Sequence, residues 1–119
     1  MTAALDLDDS AELLRVLGHT VRLTLLSAII EGERSVGEIE MLTGIAQPML
    51  SQQLGVLRKS QLVETRREAK QIFYRINHDR VSVVSILLDR FAGTAVTAKT
   101  VATEPYRSGG GAAMFARIG

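Results

Sequence analysis

The first half of the chain places its apolar residues at helical spacing, in short segments separated by glycine and polar residues. The first segment is led by the potential N-cap residue Asp9 and is predicted to be a helix that ends at Gly18. A second helix is predicted from Val21 to Ile30, with Thr20 as its cap. Because this second segment is apolar almost all round, we expect it in the centre of the core.

The next two segments predict a pair of short helices around a sharp turn. Residues 35–38 are Ser-Val-Gly-Glu, a capping box that starts a third helix running to about Thr43. Gly44 supplies the left-handed backbone that a sharp turn needs. A fourth helix is expected to start near Gln47, with Pro48 tolerated in its first turn. Its predicted buried stripe consists of leucines at i, i+4 and i+7, which are Leu50, Leu54 and Leu57.

After these helices the pattern changes to a hairpin and one more helix. Residues 62–65 and 71–76 have strand composition, and the polar residues 66–70 between them favour a hairpin. Asn77 can cap a last helix over residues 78–91, whose apolar side chains cover more than one face. The order of four helices, two strands and a helix predicts a mainly α (α+β) winged helix-turn-helix, which places its fourth helix in the DNA major groove. The surplus apolar surface predicts a homodimer through the last helix and the first.

The length of 119 residues fits one small domain with extensions. We predict an N-terminal extension over residues 1–8, a DNA-binding and dimerisation domain over 9–93, and a flexible tail rich in Ala, Gly and Thr over 94–119. The sequence contains no run of about 18 apolar residues, so no membrane span is predicted. The acidic N-terminus lacks the basic-then-apolar order of a secretory signal, so we expect a cytoplasmic protein. Cysteine is absent, which excludes disulfides, thiolate metal sites and thiol redox chemistry.

The net charge of +1 hides an uneven distribution along the chain. Residues 1–46 carry a net charge of −5, residues 47–75 carry +4, and residues 76–119 carry +2. A basic segment that coincides with the proposed DNA-reading helix and hairpin is expected of a DNA-binding protein. A merely solvated basic face is the alternative interpretation of this charge.

The outward face of the fourth helix carries the polar residues that we expect to contact DNA bases. With the three leucines facing inward, a rotation of about 100° per residue directs Pro48, Gln52 and Lys59 outward. Glutamine can bond adenine bidentately, and serine can donate a hydrogen bond to a base or accept one from it. The alternative interpretation is that these are ordinary solvent-facing residues of a helix. The predicted base-reading residues are Gln47, Pro48, Ser51 and Gln52. The predicted phosphate and wing contacts are Arg58, Lys59, Arg66, Arg67 and Lys70.

Four motifs together resemble the ArsR/SmtB family of winged-helix repressors over roughly residues 10–93: LGHTVRLTLL, EGERSVGEIE, GIAQPMLSQQLGVLR and LVETRREAKQIFYRI. Within that family the chain is most similar to the sulfide- and persulfide-responsive branch. The resemblance implies a homodimer on a pseudo-palindromic operator in double-stranded DNA, repression in the resting state, and release by an inducer. It also assigns the four base-reading residues to the family's recognition positions and residues 66–71, which end at Gln71, to its wing.

The metal sites of the family are not matched by this sequence. Metal-sensing members carry two cysteines in the segment where this chain has residues 35–37, Ser-Val-Gly. The family's other metal site uses carboxylates and imidazoles of the last helix at the dimer interface. Here that helix offers His78, Asp79 and Asp89, without the paired histidines that such a site needs. A zinc site needs a full set of nitrogen, sulfur or oxygen ligands, so we expect neither a metal nor a cofactor.

The persulfide switch of the family is also missing from this sequence. By the resemblance, its two sensor cysteines correspond to Ser27 and Gly93, and neither residue can form a thiolate. We hypothesise a natural member that kept the DNA-reading part and lost this switch. The residues leave open whether Ser27 is natural or an engineered replacement, and they do not identify an inducer.

An enzyme and a protein-interaction module are the two alternative classes of function. An enzyme is not expected, because His19 and His78 are the only histidines and no nucleophile–base set is suggested by spacing. A winged-helix protein-interaction module or anti-repressor without specific DNA binding is the second alternative. The polar recognition face and the charge of residues 47–75 argue against it. The sequence therefore predicts a sequence-specific transcriptional regulator, a homodimeric repressor without a cysteine-based switch.

Overall fold

The computed structural model describes residues 5–93. In this range the chain forms α1 (Leu7–Leu17), α2 (Thr20–Ala28), β1 (Arg34–Ser35), α3 (Val36–Thr43), α4 (Met49–Lys59), β2 (Val63–Glu68), β3 (Gln71–Ile76) and α5 (His78–Ala92). This is a winged helix fold, and the predicted order of five helices with a hairpin between the last two is confirmed, with one additional short strand, β1, between α2 and α3. None of these helices is long and apolar enough to cross a membrane.

Within the described residues the chain divides into two units, with the boundary between Ser85 and Ile86. The helix-turn-helix and the hairpin belong to the first unit, and the last turns of α5 belong to the second. The predicted flexible tail over 94–119 lies outside the described residues.

The helix α1 begins at Leu7, because Asp6 rather than Asp9 is its N-cap and accepts the Asp9 N–H at 3.0 Å. The predicted domain boundary after residue 8 therefore falls inside a helix.

The strand β1 was not predicted from the sequence. It pairs antiparallel with β3, with Arg34 opposite Tyr74 and Ser35 opposite Phe73, so the strand order of the sheet is β1-β3-β2. Two residues are too few to show an alternating pattern. The strand forms because β3 offers a free edge whose backbone groups need partners.

The second helix differs from its prediction in position and burial. It starts at Thr20, with His19 as an N-cap that makes no side-chain bond, and it ends at Ala28. Only Leu25 of this helix is buried. Leu23 is 48% exposed, and Ile30, beyond the helix end, is 65% exposed. The expectation that the whole segment lies in the centre of the core is therefore wrong for the single protomer.

The local signals around the turn are confirmed. The Glu38 N–H donates to Ser35 Oγ at 3.2 Å, and the Ser35 N–H donates to Glu38 Oε1 at 2.9 Å, which is the predicted capping box. Gly44 has a φ of 74° and ends α3 in the left-handed conformation. The next helix, α4, starts at Met49 with Pro48 as N-cap, two residues later than predicted.

The predicted leucine stripe holds α4 on the core. Leu50, Leu54 and Leu57 are at most 2% exposed, and each buried leucine contributes about 2 kcal/mol to folding. They belong to one apolar cluster with residues from α1, α2, α3 and the hairpin. Their burial leaves the opposite face of α4 toward solvent.

A two-pronged ion pair joins the start of α5 to α1. The Arg80 guanidinium donates to both carboxylate oxygens of Asp9 at 2.7 and 2.8 Å, and its Nε–H donates to the carbonyl of Ser60 at 3.1 Å. The hydrogen bonds from Arg80 lower the pKa of Asp9 below its ordinary value. Asn77 lies just before α5, and its Oδ1 accepts the Arg80 N–H at 3.3 Å, as expected of a cap.

The hairpin is confirmed, but its tip is shorter than predicted. The strand β2 continues to Glu68, so the turn consists of Ala69 and Lys70 rather than residues 66–70. Arg66 and Arg67 lie inside β2, paired across the ladder with β3. Arginine is a poor sequence signal for a strand because it is common in both strands and loops; the register fixed by β3 decides this case.

Candidate nucleic-acid interface

The residues predicted to contact bases lie at the N-terminal end of α4: Ser51 and Gln52 are in its first turn, and Gln47 and Pro48 directly precede it. Gln47, Pro48, Ser51 and Gln52 are exposed. They lie at the N-terminal end of the helix and away from the buried leucines, as the helical spacing predicted. The structure thus brings these four residues together on one polar surface.

Gln47 and Ser51 interact with each other at the start of α4. The Oε1 of Gln47 accepts the Ser51 N–H at 3.2 Å and also accepts the Ser51 hydroxyl. The Gln47 side chain therefore satisfies a backbone donor of the first turn, where Pro48 makes no side-chain cap bond. The NH₂ group of Gln47 and the side-chain amide of Gln52 make no hydrogen bond to any described residue.

A partly buried side-chain hydrogen bond, which the sequence did not predict, holds α4 against α2. The Arg22 Nε–H donates to Gln53 Oε1 at 2.8 Å, and its Nη1 donates to the carbonyl of Val16 at 3.2 Å. Arg22 and Gln53 are both half-buried. The available signal was that Arg22 is the one charged residue of α2, because a charged side chain needs polar partners when it is partly buried.

Four basic side chains lie exposed on α4 and the hairpin without an ion pair to any residue in the range 5–93. They are Arg58 and Lys59 in the last turn of α4, Arg67 in β2 and Lys70 at the hairpin turn. Their charges are free to meet an anionic partner.

Arg66 has a different environment from its neighbour Arg67. Its Nε and Nη2 donate to the carboxylate of Glu33, both at 2.8 Å, and its Nη1 donates to Glu68 at 2.7 Å. Its guanidinium also lies 4.7 Å from the ring centroid of Phe73. These bonds raise the pKa of Arg66 and lower that of Glu33. The expected wing-tip cation is thus a paired residue within the strand.

Charge counting along the sequence therefore overstates the free basic charge. Arg75 is also paired, with its Nε 3.0 Å from the Glu64 carboxylate. The remaining wing residue of the prediction, Gln71, is exposed at the start of β3, opposite Glu68. The free positive charge is concentrated at the end of α4 and near the hairpin turn.

The two positions that correspond to sensor cysteines in the resemblance lie in different units of the chain. Ser27 is exposed on α2. Gly93 directly follows α5 and has a φ of 69°, a left-handed conformation that favours glycine over residues with a Cβ. The end of the helix therefore supplies a reason for glycine at 93. Among residues 5–93 no three His, Asp or Glu side chains are grouped so that they could hold a metal ion.

Comparison with known proteins identifies relatives of this chain. The family described as bacterial regulatory protein, arsR family, matches residues 19–65. The biofilm growth-associated repressor of Xylella fastidiosa is 56% identical over 75 residues, which cover 63% of this chain and 66% of that protein, just under two thirds of its length. The crystal structure of the transcriptional repressor BigR from Xylella fastidiosa has a TM-score of 0.59 at 53% identity, covering 71% of this chain and 87% of that chain.

Other relatives are matched over more of their own length. An HTH-type transcriptional regulator of Mycobacterium tuberculosis is 31% identical over 103 residues, which cover 86% of this chain and 90% of that protein. The transcriptional activator HlyU of Vibrio cholerae is 37% identical over 78 residues, covering 66% of this chain and 72% of that protein. The names of these relatives are those of transcriptional regulators, which confirms the expectation that the chain is not an enzyme.

Proposed function

This chain belongs to the ArsR family of bacterial regulatory proteins, and from this premise we propose that it is a homodimeric, sequence-specific repressor of transcription. The observation that carries the proposal is the exposed polar start of α4, with free cations at the end of the same helix and on the adjacent hairpin. DNA recognition needs both parts, because phosphate contacts orient the protein and base contacts supply specificity.

In this proposal α4 enters the major groove with its N-terminal residues toward the bases. Gln52 would bond an adenine through its amide, and Ser51 would donate to or accept from either base. Gln47 and Pro48 would contact neighbouring base edges from the start of the helix. A helix of 11 residues is about 16 Å long, so its two ends can engage bases and backbone together.

The basic residues then contact the DNA backbone. Arg58 and Lys59 would bind phosphates beside the major groove, while Arg67, Lys70 and Gln71 would follow the backbone or enter the adjacent minor groove. Arg66 takes part only if the DNA draws it away from Glu33. Because four cations on α4 and the hairpin are free of ion pairs to described residues, a dimer would neutralise up to about eight phosphates through them and bind with strong salt dependence.

Exposed apolar side chains support a dimer through α1 and α5. On α1, Leu7 is 60% exposed and Leu14 lies two turns later on the same face. On α5, Phe91 is 73% exposed, and Ile86 and Leu88 are about half exposed. Apolar area of this kind on a small domain is typical of an interaction surface. A two-fold dimer would also match a pseudo-palindromic operator.

The proposed repressor works without a thiol switch, because none of its 119 residues is cysteine. Repression is favoured over activation because the relatives with the higher identity are repressors, whereas HlyU, at 37% identity, is named an activator. A bacterial regulator of this kind acts on the chromosome, so the proposal places the protein in the cytoplasm. Its inducer is not specified by any described feature.

The test is fluorescence anisotropy with the DNA upstream of the protein's own gene and a scrambled duplex of equal length. We expect tight binding to the upstream DNA, weak binding to the scrambled DNA, and a steep loss of both as salt rises. A mainly apolar contact with a protein partner would not show this salt dependence. Weak, salt-insensitive binding to both duplexes would refute DNA recognition and favour the protein-interaction module.

A further inference from the structure

Gly55 lies in the middle of α4, on the face proposed to meet DNA. It follows Gln52 by three residues and precedes Lys59 by four, so at about 100° per residue these three lie on one side of the helix. All three are exposed, and the buried Leu54 and Leu57 lie on the opposite side. The proposed reading face therefore contains a position that has no side chain.

Nothing within the fold requires glycine at this position. A Cβ built on Gly55 meets no atom of the described part of the chain within 4 Å, and its backbone has no left-handed φ. By contrast, Gly44 ends α3 with a φ of 74°, and a Cβ at Gly18 would lie 3.2 Å from the Leu14 carbonyl oxygen. A glycine inside a helix is less favourable than alanine because it loses more backbone freedom on folding. Gly55 thus destabilises the helix with no compensating contact among residues 5–93.

We propose that Gly55 is a specificity-determining residue, at which the α4 backbone approaches the base edges of double-stranded DNA too closely to admit a Cβ. This inference rests on the proposed function and deepens it. Glycine is the residue used where a backbone must come close to a ligand. The missing side chain lets α4 lie deep in the major groove, and Gln52, one turn earlier on the same face, then reaches its base with correct hydrogen-bond geometry.

The test uses the full chain and the duplex that the wild-type protein selects from a random-sequence pool. Gly55→Ala is expected to raise Tm by about 4 °C through better helix propensity, and to weaken binding to the selected duplex about tenfold or more. Binding to random duplexes should change little, since phosphate contacts remain. The matched control is Gly37→Ala on α3, where a Cβ also meets open space; it should leave DNA affinity unchanged.

A second variant tests whether the α4 backbone lies close to the DNA bases or only loosely against them. Gly55→Lys adds a cation to the DNA-facing side of α4. If the backbone lies close to the bases, the lysine weakens binding to the selected duplex despite its charge. If the face is loosely apposed, the lysine gains a phosphate and strengthens binding to all duplexes, which would overturn the inference.

The outcomes also distinguish this inference from the proposed function. If the wild-type protein selects no duplex from the pool, the proposed function fails first and the inference fails with it. If the wild-type protein selects a duplex and Gly55→Ala binds it equally well, only the inference is refuted. A variant with lowered Tm as well as lowered affinity would also refute it, because glycine would then be needed by the fold.

Discussion

Two adjacent arginines of β2 provide the most direct test of how the hairpin meets DNA. Side chains of successive strand residues point to opposite faces, and the structure gives the two arginines different partners. Arg66 is bonded to Glu33 and Glu68, whereas Arg67 has no ion pair within residues 5–93. Changing Arg67 to Ala should therefore remove a phosphate contact, and changing Arg66 to Ala should mainly remove contacts within the chain.

The expected change in the salt dependence of DNA affinity follows from counterion release. Each neutralised phosphate contributes about −0.9 to the slope of log affinity against log salt, so a fourfold rise in salt weakens binding about 3.5-fold per phosphate. Arg67→Ala should lower the slope by about one on any duplex, with Tm unchanged. Arg66→Ala should leave the slope nearly unchanged and lower Tm by a few degrees, because Glu33 and Phe73 lose their partner.

The assay is anisotropy titration of the same duplex at three or more salt concentrations, together with thermal melting of each variant. A dimer carries the change twice, so the slope is compared per protomer. If Arg66→Ala lowers the slope as much as Arg67→Ala, the Glu33 ion pair opens on DNA and the paired state does not describe the complex. If Arg67→Ala leaves the slope unchanged while its neighbour's variant lowers it, the assignment of the two roles is wrong.

Three further predictions concern specificity, acid stability and the missing switch. Gln52→Ala should cost about 1–3 kcal/mol on the operator and little on random DNA in anisotropy titrations; equal losses would remove Gln52 from base recognition. The Arg80 hydrogen bonds hold the pKa of Asp9 below its ordinary value, so the stability that they give is present at neutral pH and is lost as the solution is acidified through and below the ordinary carboxylate range. Tm measured down to about pH 2 should therefore show a weaker acid dependence in Asp9→Asn than in the wild-type protein. Identical curves for the two proteins would contradict this role. The double variant Ser27→Cys, Gly93→Cys should cross-link under persulfide, read by mass spectrometry; without a cross-link the positional assignment is wrong.

The parts of the fold that the sequence predicts correctly are those decided by neighbouring residues. The capping box of Ser35 and Glu38 and the left-handed Gly44 each depend on a few residues in a row, and both are as predicted. The spacing of the three α4 leucines likewise predicts which face is buried, because the period of a helix is fixed. The same spacing leads to the exposed polar face that carries the proposed site.

The features that the sequence does not predict depend on partners far along the chain. Glu33 and Arg66 are separated by 33 residues, and Arg22 and Gln53 by 31. No local pattern indicates which carboxylate will meet which arginine, so net charge per segment counted Arg66 as free. The two-residue β1 has the same origin, since only the edge of β3 makes it a strand.

Two further contacts connect the hairpin to the helix-turn-helix that contains α4. Ser35 pairs with Phe73 of β3 as a strand residue and caps α3 with its side chain, so one residue joins the sheet to the helix-turn-helix. At the other end, the Leu62 N–H donates to the Leu57 carbonyl at 3.0 Å, which ties the start of the hairpin to the end of α4. Because both ends are tied, phosphate contacts made by the hairpin would also set the register of α4 in the groove. A loosened link should therefore weaken binding to the operator more than binding to random DNA. Ser35→Ala, which removes the cap but keeps the strand, is expected to lower the ratio of operator affinity to random-DNA affinity. An unchanged ratio would show that α4 finds its register independently of the hairpin.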